Sequence, residues 1–243
     1  MKRNLHATIV VALMLILSSC AKDNNELKAS ANIYTVNAAI GAGSIKVNPG
    51  ITKGFAYKNA PDLAYGTSSV FGTFSGSKNI TVVSSTDTTK TLFSRTIDLQ
   101  SIHSLYIAGQ SPTIDTIFRT ERNFPYIQGA KLNPDSSIYI RFINLSPNST
   151  PLKIKISTAT TNEVDALAYK DISPFKKYSA QKNVTANYVF EVRDVATNTL
   201  RTTATATINP ATNRYKTISI IYKDLMRTAP TGPDITFLQL NYN

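Results

Sequence analysis

The chain has 243 residues, with 26 Lys+Arg against 15 Asp+Glu, a formal charge of +11, and 42% hydrophobic and 17% charged residues. That length supports one large domain or two modest ones, and the composition excludes a disordered polyampholyte and a multi-span membrane protein. One Cys, two His and no Trp exclude an intramolecular disulfide and a zinc site built from cysteines.

In chain order, Lys2 and Arg3 precede an apolar run over residues 7–17. The run is shorter than the about 20 residues a membrane-spanning helix needs. It ends in Leu17-Ser18-Ser19-Cys20, which resembles a bacterial lipobox. That resemblance implies a signal peptide over residues 1–19, cleavage between Ser19 and Cys20, and lipidation of Cys20. More than one acyl chain on one cysteine suffices for stable anchoring. Residues 20–28 are polar and read as a flexible tether. Their Lys22-Asp23-Asn24-Asn25-Glu26 is similar to the export signals of Bacteroidota surface lipoproteins. The expected location is the outer membrane, lipid-anchored, with exposure at the cell surface or a face toward the periplasm both left open by the sequence. Without Lys2 and Arg3 the charge falls from +11 to about +9.

The remainder reads as a tandem repeat. Leu63-Ala64-Tyr65 with Ser69 and Phe71 recurs as Leu167-Ala168-Tyr169 with Ser173 and Phe175. Lys78-Asn79-Ile80-Thr81 recurs at the same spacing as Lys182-Asn183-Val184-Thr185. Val36-Asn37 matches Ile143-Asn144, Ile45-Lys46-Val47 matches Leu152-Lys153-Ile154, and Ser104-Leu105-Tyr106-Ile107 is aligned with Thr217-Ile218-Ser219-Ile220. Shared phrases in one order over about a hundred residues indicate duplication of a domain rather than a short-period solenoid. The expected division is residues 29–127 and 128–243, with a boundary at Gln128-Gly129-Ala130 and Asn133-Pro134. The second copy is expected to fold alone, and Tyr65 and Tyr169 are each expected to anchor the core of their own copy.

Residues 138–143, 152–156, 188–193, 203–208 and 217–222 are rich in β-branched and aromatic residues, several alternating at period two, and predict strands. Ser146-Pro147-Asn148 and Asn209-Pro210-Ala211 predict turns. The predicted fold is all-β: two immunoglobulin-like antiparallel sandwiches of roughly seven strands each. Ile140-Arg141-Phe142-Ile143-Asn144-Leu145-Ser146-Pro147-Asn148, with Tyr188-Val189-Phe190-Glu191-Val192-Arg193 and residues 215–222, resembles the repeat of domain-of-unknown-function family four-three-nine-seven. The resemblance covers residues 137–243 well and residues 29–126 more weakly. It implies a secreted or lipid-anchored bacterial protein and supplies no catalytic residues.

Candidate chemistry is sparse. His103 is expected at an exposed turn before a strand, and no Gly-x-Ser-x-Gly elbow accompanies it. Gly41-Ala42-Gly43-Ser44 has a strand rather than a helix after it, so it is a turn and not a phosphate loop. Asp165, Asp171, Glu191 and Asp194 are scattered over turns and strand faces, where pairing with Lys170 or Arg193 is expected. Dispersed lysines, without an arginine-rich patch, argue against nucleic acid as a partner. Asp87-Thr88-Thr89 and Asp115-Thr116-Ile117 resemble Bacteroidota O-glycosylation motifs. The expectation is a non-catalytic envelope lipoprotein without cofactor or metal, serving as a surface binding or adhesion module for a glycan or protein. The alternatives are a structural part of an outer-membrane assembly and an accessory glycan-processing protein.

Overall fold

A computed structural model describes residues 29–122, 125, 136–181, 186–208, 214–227 and 235–242. Ser19, Cys20, the tether and the expected repeat boundary lie outside these residues.

The described chain is all-β, in four stacked sheets. The first copy contributes β1 (Ser30–Asn37), β2 (Ile45–Asn48), β3 (Thr67–Phe74), β4 (Gly76–Ser84), β5 (Thr91–Leu99), β6 (Ile102–Gln110) and β7 (Thr113–Thr120). The second contributes β8 (Ser137–Asn144), β9 (Leu152–Ile156), β10 (Asn162–Leu167), β11 (Lys176–Ser179), β12 (Ala186–Asp194), β13 (Leu200–Ile208), β14 (Thr217–Lys223) and β15 (Thr236–Tyr242). The sheets run β2-β4-β5 and β3-β1-β6-β7 in the first copy, β11-β8-β14-β15 and β10-β9-β12-β13 in the second. Pairing is antiparallel except for β1 with β6 and β8 with β14, which are parallel. Parallel neighbours need a long crossover, and the intervening strands supply it, most of them in the other sheet (β2, β4 and β5 in the first copy; β9, β10, β12 and β13 in the second). Among the described residues the helical content is one 3₁₀ turn, Tyr57–Asn59.

Each sandwich has its own apolar core. Ile33, Leu105 and Ile107 meet Val47, Ile80 and Val82 in the first, and Ile140, Phe142 and Ile220 meet Ile154, Phe190 and Val192 in the second. A third core lies between the copies. Tyr34, Val36, Ala38, Tyr106 and Ala108 pack against Ile143, Leu145, Ile221, Leu240 and Tyr242. The strands β1, β6, β8 and β14 are therefore buried on both faces, which is why β14 is buried at six successive positions instead of alternating.

The registers realign the repeat. Asn37 pairs with Ile107 and Asn144 with Tyr222, so Ser104 corresponds to Ser219, two residues later than the sequence alignment placed it. Val47 pairs with Val82, and Ile154 with Val192, so Ile80 corresponds to Phe190, six residues beyond Val184. Both slips are even, and an even slip keeps every side chain on its face of the sheet, so alternation alone cannot detect it. The conserved geometry lies at the asparagines. Asn37 Nδ2 donates to the Leu63 carbonyl at 3.0 Å, and Asn144 Nδ2 to that of Leu167 at 3.0 Å. Their Oδ1 atoms accept the N–H groups of Ala39 and Ser146.

Candidate binding site

The residues singled out for chemistry are occupied structurally. His103 does not sit at an exposed turn: it is in β6, fully buried, stacked on Phe118 with centroids 5.3 Å apart. The strand starts earlier than expected because the imidazole serves as an apolar plate, its Nε2 accepting the Gln100 N–H at 3.1 Å. Burial holds its pKa below 6.5 despite the opposing charges of Glu121 and Asp98. Gly41 and Gly43 form the expected turn, at φ +75 and +69, ahead of β2. Asp194 is almost wholly buried, taking the Thr150 hydroxyl and the Thr197 N–H at 2.9 Å within the β12–β13 turn. Glu191 pairs with Arg193 at 3.0 Å as expected. Lys170 instead pairs with Asp115 of the first copy, at 3.2 Å. Asp165 accepts from Asn162, and Asp171 from the Ala168 N–H. Thr88 lies exposed in the β4–β5 turn, whereas Thr116 is half-buried within β7.

Tyr65 and Tyr169 are not core residues of their own sandwiches but half-buried staples between the copies. The Tyr65 hydroxyl donates to Asp224 of the second copy, and Lys223 Nζ lies 4.7 Å over its ring. The Tyr169 hydroxyl donates to Asp115 of the first at 2.8 Å. Burial, reinforced by the carboxylate each hydroxyl bonds, pushes both tyrosine pKa values well above the ordinary value. The residues after them, Gly66 and Lys170, share a left-handed backbone at φ +73 and +72. Glycine suits the first position, where a Cβ would press to 3.2 Å from the Lys223 side chain.

The polar centre of the interface has no signature in the sequence. Arg141 is 1% exposed, and its guanidinium donates to both Glu121 oxygens, at 2.9 and 2.6 Å. It also donates to Ser219 Oγ at 2.8 Å and to the hydroxyls of Tyr106 and Tyr242 at 3.0 and 2.6 Å. The Phe175 ring lies 4.4 Å from its central carbon. Arg141 occupies in β8 the place of Tyr34 in β1, three residues before the shared asparagine. By the β6–β7 and β14–β15 registers, Glu121 occupies the place of Tyr242. The copies thus face each other about a pseudo-twofold axis. One symmetric position holds a Tyr34–Tyr242 pair at 4.7 Å, and the other holds the Arg141–Glu121 pair.

The open site lies on the flank of the first sandwich, where residues 49–66 pass from β2 to β3. A groove of about 310 Å³ is lined by Val47, Pro49, Ile51, Phe55, Pro61 and Phe71, with Ala60 at its floor. Binding pockets for small ligands begin near ~300 Å³. A loop rich in proline and aromatics between two strands was the available sequence signal. The lining is mostly apolar, with Asn59 the one polar side chain in it, and it is suited to apolar contact rather than to acid–base or nucleophilic chemistry. Among the described residues no three His, Cys, Asp or Glu side chains come together as a metal site, and no helix is long and apolar enough to cross a membrane. No protein-family model matches the chain, and no curated protein matches it either.

Proposed function

We propose that this chain is a non-catalytic, lipid-anchored cell-envelope protein whose role is to bind a partner at the flank of its first sandwich. The observation that carries the binding reading is the apolar groove beside Val47, Phe55 and Phe71, held on a framework in which two sandwiches share a buried interface. An apolar lining suits a protein side chain better than a hydroxyl-rich sugar. An anilinonaphthalene sulfonate dye should brighten on the folded chain, and Ala60→Leu, which fills the groove, should abolish most of that signal. Dye binding unchanged by Ala60→Leu would remove the groove from the proposal.

The lipobox resemblance carries the location. Cys20→Ala should move the protein from the outer-membrane fraction to the soluble one, since the acyl chains are its only proposed attachment. Continued sedimentation with membranes in high salt would defeat lipid anchoring as the sole tie.

A structural role in an envelope assembly has one observation in its favour. Edge strand β3 carries no charge over Thr67–Phe74 and exposes Val70 at 48% and Phe74 at 59%. Its counterpart β11 is short and carries Lys176 and Lys177, the usual protection of a sheet edge.

A further inference from the structure

Among the described residues edge strand β3 pairs with β1 alone, with Asn32 opposite Gly72 and Ile33 opposite Phe71. The main-chain groups of a strand point alternately to its two sides. The Ser75 N–H bonds the Ala29 carbonyl at 2.7 Å, while the Asn32 N–H turns the other way, to Ser101 at 2.8 Å. The odd-numbered residues of β3 therefore face β1. Ser68, Val70, Gly72 and Phe74 point their N–H and C=O groups to the open side, where no described residue bonds them. Gly72 is exposed, Val70 is 48% exposed and Phe74 59%, so solvent reaches this edge along the strand.

Side chains alternate as well. Phe71 packs on the first core, which sets Val70, Gly72 and Phe74 together on the opposite face. Nothing within the monomer requires the glycine. Its φ is not left-handed, and a Cβ there would meet only Asn32 Oδ1, at an ordinary 3.7 Å. A glycine inside a strand weakens it, and often marks the close approach of another backbone.

We infer that β3 pairs antiparallel with β3 of a second copy of this chain, about a dyad at Gly72. Outward-pointing residues must oppose one another for the ladder to close. Of the registers that allow this, the one centred on Gly72 sets Val70 of each copy against Phe74 of the other. Each exposed apolar side chain is then covered by an aromatic–β-branched cross-strand pair, and the pair occurs twice. Gly72 faces Gly72 between them, with the Phe74 rings diagonal to it, an aromatic cover of a strand glycine. The paired span, residues 68–76, carries no charge although the chain carries +11, so two copies meet there without like-charge repulsion. This inference rests on the assembly reading above and names its partner; the groove reading does not depend on it.

In sedimentation velocity the full-length chain, in density-matched detergent, should show a monomer–dimer equilibrium. Val70→Lys places an ammonium in both cross-strand pairs and should weaken the dimer about tenfold, while the half-exposed position accommodates lysine in the monomer. Cysteine substitution reads the register. Opposed Gly72 Cα atoms would lie about 5.5 Å apart, within disulfide range, whereas the two Ser68 residues would be about 27 Å apart. Mild oxidation should join Gly72→Cys chains and leave Ser68→Cys at the background of the parent chain, which carries Cys20. A chain that sediments as a monomer at every concentration overturns the inference, as does equal crosslinking at positions 72 and 68. Photo-crosslinking from Phe74→benzoylphenylalanine in intact cells separates the partners, with a product of two copies expected. A product with a different protein overturns the second copy and leaves the assembly reading standing; no product overturns both.

Discussion

Arg141→Ala should destabilise the folded chain by about 3–5 kcal/mol, the usual result of leaving one member of a buried ion pair behind. Glu121, itself 6% exposed, would keep a buried charge facing only the Ser104 hydroxyl, at 2.7 Å, and the more distant Arg119 at 3.5 Å. Glu121→Gln should act in the same direction. The double change Arg141→Met with Glu121→Leu should recover most of the loss, because an apolar replacement of a whole buried pair is often neutral or stabilising. Denaturant midpoints at constant m-value would measure all three. A loss below about 1 kcal/mol from either single change would show that the pair is not essential to the interface.

The same pair predicts a dependence on pH. Burial alone would raise the Glu121 pKa. The hydrogen bonds and charge of Arg141, with the Ser104 hydroxyl, outweigh it and hold the carboxyl below its ordinary 4.5. A depressed folded value means the carboxylate's contribution is complete above the unfolded pKa and is lost as the pH falls through the folded one. The wild-type chain should therefore lose stability on acidification below about pH 4.5. The double variant should lack this component of the loss.

The second large effect concerns cooperativity. The chain should unfold in one calorimetric transition, with equal calorimetric and van't Hoff enthalpies, because ten buried side chains form a core shared by the copies. Two separated transitions would contradict this. A fragment of residues 136–243 should not behave as a compact monomer, contrary to what the repeat pattern alone suggests. It would uncover Ile143, Leu145, Ile221, Leu240 and Tyr242 and leave Arg141 without its carboxylate. Self-pairing about the same twofold would set Arg141 against a second Tyr242 rather than a glutamate. Light scattering should therefore find aggregates or an ill-packed dimer.

The individual strands were legible in the sequence because their signal is local. Leu152–Ile156 matches β9 residue for residue, and the β-branched runs at 138–143 and 217–222 fall inside β8 and β14. Less legible was β15, whose Thr-Phe-Leu-Gln-Leu-Asn-Tyr sequence was not singled out as a strand. His103 was misplaced because a neutral imidazole packs like an apolar ring once buried, and nothing in its neighbours announces that burial. The groove was missed because it is a difference between copies: the loop at 49–66 matters by failing to do what β10 does, and that comparison needs the correct register.

By itself the sequence determined the all-β class, the duplication and the turns at Gly41–Gly43 and Ser146–Asn148, since period-two alternation, repeated phrases and Pro/Gly/Asn clusters act over a few residues. The turn expected at Asn209-Pro210-Ala211 lies outside the described residues. Only the tertiary structure decided which faces meet. Strands buried on both sides, Arg141 against Glu121, and the tyrosines reaching across the interface all join residues distant in the chain. Sequence periodicity fixes which face of a strand a residue occupies, while the partner across that face is chosen by three-dimensional packing and by the demand that buried charge be paired.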